Sequence, residues 1–119
     1  MDIARLELSG VNYGKGVERF LGDAELYEIV LMSFLDSDML TRAEKAYEDK
    51  NYKALFECAH ETKGASGNTD MEMLYRISCV LTELLRNGEP EADAVQAAFI
   101  QFRDIYQATL RAIREAAEN

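Results

Sequence analysis

The chain has no tryptophan, a single proline, a single histidine and only two cysteines among its 119 residues. Each scarcity excludes something. A structural zinc site needs four nitrogen or sulfur ligands, whereas His60, Cys58 and Cys79 together supply three at most. The cysteines lie far apart, with no Cys-x-x-Cys pattern. They read as two small buried apolar residues in a reducing compartment, not as a disulfide or redox pair. No apolar run approaches the roughly 20 residues that a membrane-spanning helix needs. The opening "MDIARLELSG" lacks a basic segment followed by an apolar core and so is not a secretory signal. A cytoplasmic protein is expected. Positive charge is also short: 13 Lys and Arg stand against 22 Asp and Glu, for a net charge of −9. Such a chain repels phosphate backbones and anionic lipid, which disfavours nucleic acid and membrane surfaces as partners. No Walker loop, protein-kinase lysine set, His-Glu-x-x-His or catalytic triad is present.

What is present favours helix. Hydrophobic residues make up 48% and charged residues 29%, an ordinary globular balance. The length fits a single domain, residues 1–119, with one hydrophobic core. Apolar residues recur at the i, i+3, i+4, i+7 spacing of amphipathic helices. Leu26, Ile29, Val30 and Phe34 form one stripe, followed by Leu40, Ala43 and Tyr47. Leu74, Ile77, Leu81 and Leu84 form another, and Val95, Phe99, Phe102, Ile105, Thr109, Leu110 and Ile113 a third. The breaks are short. Ser9 to Gly16 is loop-like, with a short helix expected over Tyr13 to Phe20. Asp23 and Asn51 are N-cap candidates, and Asp36 to Asp38 marks a kink or a second cap. Gly88 and Pro90 punctuate the clearest turn. Short connections make neighbouring helices antiparallel. The expected fold is all-α: an antiparallel up-down four-helix bundle with a short extra N-terminal helix.

The stretch "CAHETKGASGN", Cys58 to Asn68, carries the chemistry. At about 100° per residue on a helix, Leu55, Cys58, Ala59, Thr62, Ala65, Ser66 and Thr69 gather on one side and point into the bundle. His60 then points out, sharing its face with Lys53, Phe56, Glu57, Lys63, Gly64 and Gly67. Each glycine costs a helix roughly 1 kcal/mol relative to alanine. On this face the two of them leave a bare strip beside an exposed imidazole, where another backbone or a bulky group can come close. An imidazole nitrogen is a good nucleophile near neutral pH. Lys63, one turn on, reaches the same space. An ammonium there neutralises charge on a phosphoryl group moving to and from that nitrogen. With no nucleotide-binding loop, the chain would hold a phosphoryl group that others deliver and remove. The plain alternative is a surface histidine without a role.

The segment "AHETKGASGN" resembles the phospho-acceptor motif of histidine-containing phosphotransfer (HPt) domains, with Ala59, His60, Lys63, Gly64, Ala65 and Asn68 as the matching positions. "FLGDAELYEIVLMSFL" and "EDKNYKALFECAH" are similar to that family's segments leading to the histidine helix, and the resemblance covers nearly the whole chain. It implies a four-helix bundle with His60 exposed near its middle. It implies phosphorylation of the outer ring nitrogen of His60 by the aspartyl phosphate of a response-regulator receiver domain, or by a sensor histidine kinase. Magnesium would come with the receiver, so the chain needs no cofactor or metal of its own and works as a phosphoryl carrier rather than an enzyme. Lys63 would stabilise the phosphoryl group, and Gly64 and Gly67 would make room for the receiver. Phe56 either joins the docking patch or is a core-edge residue, and Gly67 either belongs to the clearing or marks the helix end. Two positions depart from the family pattern: Asp70 where many relatives carry glycine, and Thr62 where many carry an apolar residue. Gly67 is the substitute turn residue, and Asn68 is expected to cap the helix end. A monomer is expected. The competing functions are a helical adaptor that binds a receiver or kinase without transferring phosphate, and a substrate domain derived from a larger kinase.

Overall fold

The computed structural model describes residues 1–118. Seven α-helices follow one another: α1 (Ile3–Leu8), α2 (Tyr13–Arg19), α3 (Ala24–Ser33), α4 (Met39–Glu48), α5 (Tyr52–Asn68), α6 (Glu72–Leu85) and α7 (Ala92–Ala117). A 3₁₀ turn, Phe34–Asp36, separates α3 from α4. The break expected at Asp36 to Asp38 is therefore a real interruption, completed by Ser37 in an extended conformation. Two short helices precede the bundle. α1 was not expected from the sequence, and α2 begins at Tyr13, so the loop expected over Ser9 to Gly16 is confined to its first residues.

Local chemistry starts the helices where the sequence places them. The side chains of Asn12, Asp23 and Asn51 accept hydrogen bonds from the backbone N–H groups of Lys15, Leu26 and Ala54. Each satisfies one of the donors that a helix start leaves without a partner. Glu91 does the same for α7, accepting from Asp93 and Ala94. Three helices end on a left-handed residue that is not glycine: Leu21, Lys50 and Asp70. In each case the next N–H reaches back to a carbonyl of the last helical turn, as Met71 does to Ser66 at 3.0 Å. This is the Schellman arrangement that normally favours glycine.

Helices α4 to α7 pack as consecutive neighbours, and α4 closes against α7. The long α7 also supports α1 and α3. The interior holds Phe34, Leu55, Leu74, Leu81, Phe102, Tyr106 and Ile113. Phe34 stacks on Tyr106 with ring centroids 5.0 Å apart, and Tyr47 stacks on Phe99 at 4.2 Å. The stripes expected on α5, α6 and α7 face this core, apart from Ala65, Leu84, Ile105 and Leu110 at its edge. Of the first expected stripe, only Phe34, just beyond α3, faces it fully. Tyr27 and Leu31 are buried there, while Leu26 and Ile29 are 45% and 59% exposed and Val30 is half-buried. Apolar residues run almost all round this short helix, so their spacing alone selects no face. Packing selects it: Tyr27 fits over Gly16 of α2 and donates from its hydroxyl to the Thr69 carbonyl at 2.6 Å.

That hydroxyl is one of several ties from the N-terminal helices to the α5–α6 turn. Asn12 donates from its backbone to the Asp70 carbonyl at 2.8 Å, and Glu72 donates to the Gly10 carbonyl at 2.7 Å. Gly16 is where the approach is closest, since a Cβ there would overlap the Tyr27 ring. The ring is fully buried and cannot retreat without losing its hydrogen bond to Thr69. Gly16→Ala is expected to lower stability by about 1–3 kcal/mol. Urea denaturation measures this, and an unchanged midpoint would show that the ring yields freely.

Candidate functional site

Helix α5 divides sharply into two sides. Leu55, Cys58, Ala59, Thr62 and Ser66 are buried. The hydroxyls among them are satisfied within the helix: Thr62 donates to the Cys58 carbonyl at 2.8 Å and Ser66 to the Thr62 carbonyl at 2.7 Å. Back-bonding of this kind lets small polar side chains sit in a core without stranding a donor. It also accounts for Thr62 at a position where many relatives carry an apolar residue. Burial pushes the Cys58 thiol above its ordinary value. Cys79 is only half-buried, against the expectation that both cysteines lie in the core. It lies on the flank of α6, one turn from Tyr75, and its proximity holds that phenol above its usual range.

The opposite side of α5 carries His60, at the centre of the helix and exposed. Phe56, one turn earlier, lies nearly parallel to the imidazole, with centroids 5.9 Å apart and 8° between the planes. It is half-buried against the core edge, the second of the two settings considered for it. The Arg86 guanidinium sits 5.8 Å from the Phe56 ring centre, within cation–π range. Lys63 is half-buried on the other flank of His60. At Gly64 a Cβ would meet nothing within 4 Å, so the space above this residue is open.

Gly67 differs. A Cβ there would lie 3.1 Å from the Tyr75 ring. The clearing expected at Gly67 is thus occupied by an aromatic wall from α6, and this glycine is there for packing. The helix does not end at Gly67 either. It runs through Asn68, and Thr69 is its C-cap. Asn68, expected to cap the helix, is its last residue and is exposed. The left-handed residue of the turn is Asp70, with φ of 55°. An L-residue there costs roughly 1–2 kcal/mol. Asp70 is among the side chains that tolerate this conformation, and it is held on both sides. Arg19 donates to its two carboxylate oxygens at 2.8 and 3.2 Å, and Asn12 binds its carbonyl.

These elements enclose a groove of about 600 Å³ that begins at His60, Lys63 and Gly64. It continues past Gly67 and Asn68 to Arg19, Asp70, Glu72, Tyr75 and Arg76. The sequence reading found the α5 members of this set and missed Arg19, Glu72, Tyr75 and Arg76. Asp70 was visible only as a departure from a pattern. Arg19 lies 51 positions from its partner, and no spacing rule connects them. Among the described residues no group of three or more His, Cys, Asp or Glu side chains could hold a metal ion, and no helix is long and apolar enough to cross a membrane.

A helical bundle presenting one solvent-facing histidine at mid-helix, beside a lysine and an open glycine, defines a class of protein built around that imidazole. The model of the Hpt domain family matches residues 25–117, which is most of the chain, and the chain belongs to this family of phosphotransfer modules of two-component signalling. No curated protein and no solved structure shows a significant match to it.

The Asp70 turn yields a direct comparison. Asp70→Ala removes the Arg19 pair and leaves a β-carbon in the left-handed conformation, whereas Asp70→Gly removes the pair and relieves the backbone. Asp70→Ala is expected to be the less stable by about 1 kcal/mol. Thermal or urea unfolding of the two variants measures the difference. Equal stabilities would mean that the turn changes shape once Arg19 lets go.

Proposed function

We propose that the chain is a phosphorelay carrier in which His60 accepts a phosphoryl group from the aspartyl phosphate of a receiver domain, or from a histidine kinase, and passes it to another receiver. One observation supports this above the others. The only imidazole of the chain stands exposed at the middle of α5, between Phe56 and Lys63, next to the open space at Gly64. Membership of the Hpt domain family agrees with it.

In the transfer, the Nε2 lone pair of neutral His60 attacks phosphorus. A P–N bond forms as the P–O bond to the partner's aspartate breaks. The carboxylate leaves with the electron pair, and the imidazole proton stays on Nδ1. Phe56 limits rotation of the ring and so helps to present Nε2 outward. Lys63 offers an ammonium to the phosphoryl oxygens, over which the charge of the transition state is spread. Gly64 leaves the approach unobstructed. Magnesium, in this reading, arrives bound to the receiver. The chain contributes position and charge, and the phosphoryl group is delivered and removed by its partners. A helical adaptor that binds without transfer remains the second reading; the combination of His60, Lys63 and Gly64 on one face argues against it.

Incubation with a phosphorylated receiver should place acid-labile, alkali-stable phosphate on the chain, and His60→Gln should abolish it. Label that persists in His60→Gln would overturn the assignment. Lys63→Ala is expected to slow transfer by about 10–100-fold, of the order seen when one preorganised donor is lost. Gly64→Gln should fold with stability within about 1 kcal/mol of the parent, since its side chain enters open space and glutamine is the better helix former. Transfer from the receiver should nevertheless fall at least tenfold. A Gly64→Gln variant that unfolds, or that transfers normally, would remove Gly64 from the docking face.

A further inference from the structure

The groove beside His60 is far larger than its proposed cargo. A phosphoryl group fills only a few water volumes of about 30 Å³ each, and the groove holds about 600 Å³. It also runs in one direction only, away from Phe56 and towards α2 and the start of α6. Its charges are arranged unevenly. Three cations, Arg19, Lys63 and Arg76, line it with two carboxylates, Asp70 and Glu72. Asp70 is neutralised by Arg19 through two hydrogen bonds. Glu72 is engaged by the Asn12 side-chain amide at 3.0 Å. Arg76 is exposed and has no hydrogen bond or ion pair among the described residues. The groove is therefore locally cationic on a molecule whose net charge is −9.

We propose that this groove, with Arg76 as its free cation, seats an acidic segment of the phosphodonor receiver next to the phosphoryl group, and so decides from which side of His60 the receiver approaches. The inference rests on the carrier reading above and adds the docking direction. An aspartyl phosphate and the carboxylates around it are anionic, and most of this chain's surface repels them. Approach across the groove replaces that repulsion with attraction to the unpaired Arg76, whereas on the Phe56 side the Arg86 guanidinium is already paired with Glu83. Tyr75 supplies an exposed aromatic wall next to this cation. Tyrosine and arginine are the residue types that carry most binding energy in protein interfaces. The free cation acts on encounter and affinity, and leaves the chemistry to His60 and Lys63.

The test compares Arg76→Glu with Arg111→Glu, which makes the same charge change at an exposed α7 position outside the groove. Two phosphodonors are used: the phosphorylated receiver domain that labels His60 fastest in a panel, and phosphoramidate, which needs no docking. Arg76→Glu should raise the receiver concentration giving half-maximal rate at least tenfold. It should leave the saturating rate and phosphoramidate labelling within twofold, and flatten the salt dependence of receiver transfer. Arg111→Glu should stay within twofold throughout. Equal effects of the two variants would overturn the inference in favour of general charge. Equal slowing of receiver and phosphoramidate labelling by Arg76→Glu would overturn it in favour of local chemistry. If phosphoramidate labels His60 and no receiver does, or if neither labels it, the carrier reading fails and the docking direction falls with it.

Discussion

Close contact between α5 and its neighbours governs the direction in which His60 points. Cys58, Ala59, Thr62 and Ser66 are small, and all four are buried. A larger side chain at any of them would hold the helices apart or roll α5 about its axis. Either movement would carry His60 towards the core or out of line with Lys63. The threonine and serine hydroxyls would each strand a donor in that interior if they did not bond to carbonyls one turn back. The buried side is thus both close-packed and polar-satisfied, and the exposed side inherits its orientation from it. Gly64 contributes nothing to this packing, since no atom lies near where its side chain would be.

The second constraint sits at the end of α5. Three ties meet at the turn into α6: the Tyr27 hydroxyl on Thr69, the Arg19 guanidinium on Asp70, and the backbone pairing of Gly10 and Asn12 with Glu72 and Asp70. They fasten the N-terminal helices beside the histidine helix and turn a bare helix face into a groove with walls. Asp70 shows how a costly backbone conformation persists when its surroundings determine it several times over. Arg19 is half exposed, so solvent screens its pair with Asp70, and its main effect is to orient the carboxylate. The same pairing removes Asp70 as a source of free negative charge in the groove.

Charge acts on two scales. Globally the chain is acidic, with a net charge of −9. Locally, the groove beside the histidine is lined by three cations, Arg19, Lys63 and Arg76, against two carboxylates, and Asp70 is tied to Arg19, so an incoming anion meets a positive excess there. Composition reports only the first scale. Two proteins with the same net charge can differ entirely in the second, because it depends on where the charges of each sign are placed.

Much of the fold was legible because helices are local. Caps at Asp23 and Asn51, apolar spacing along α6 and α7, and the division of α5 into a small-residue side and a histidine side all arise within a few residues. His60, Lys63 and Gly64 share a face by the geometry of one helix, so the sequence by itself determined the heart of the candidate site. It misread α3, where apolar residues surround the helix and only the fit of Tyr27 over Gly16 selects the buried face. It misread Gly67 as open space, because the Tyr75 ring that fills it belongs to the next helix. It misread Asn68 as the cap, because the left-handed residue proved to be Asp70, held by an arginine 51 positions away. These are contacts between segments distant along the chain, and residue spacing carries no record of them. Tertiary structure alone decided that the imidazole stands at the mouth of a cationic groove and not on an open helix surface.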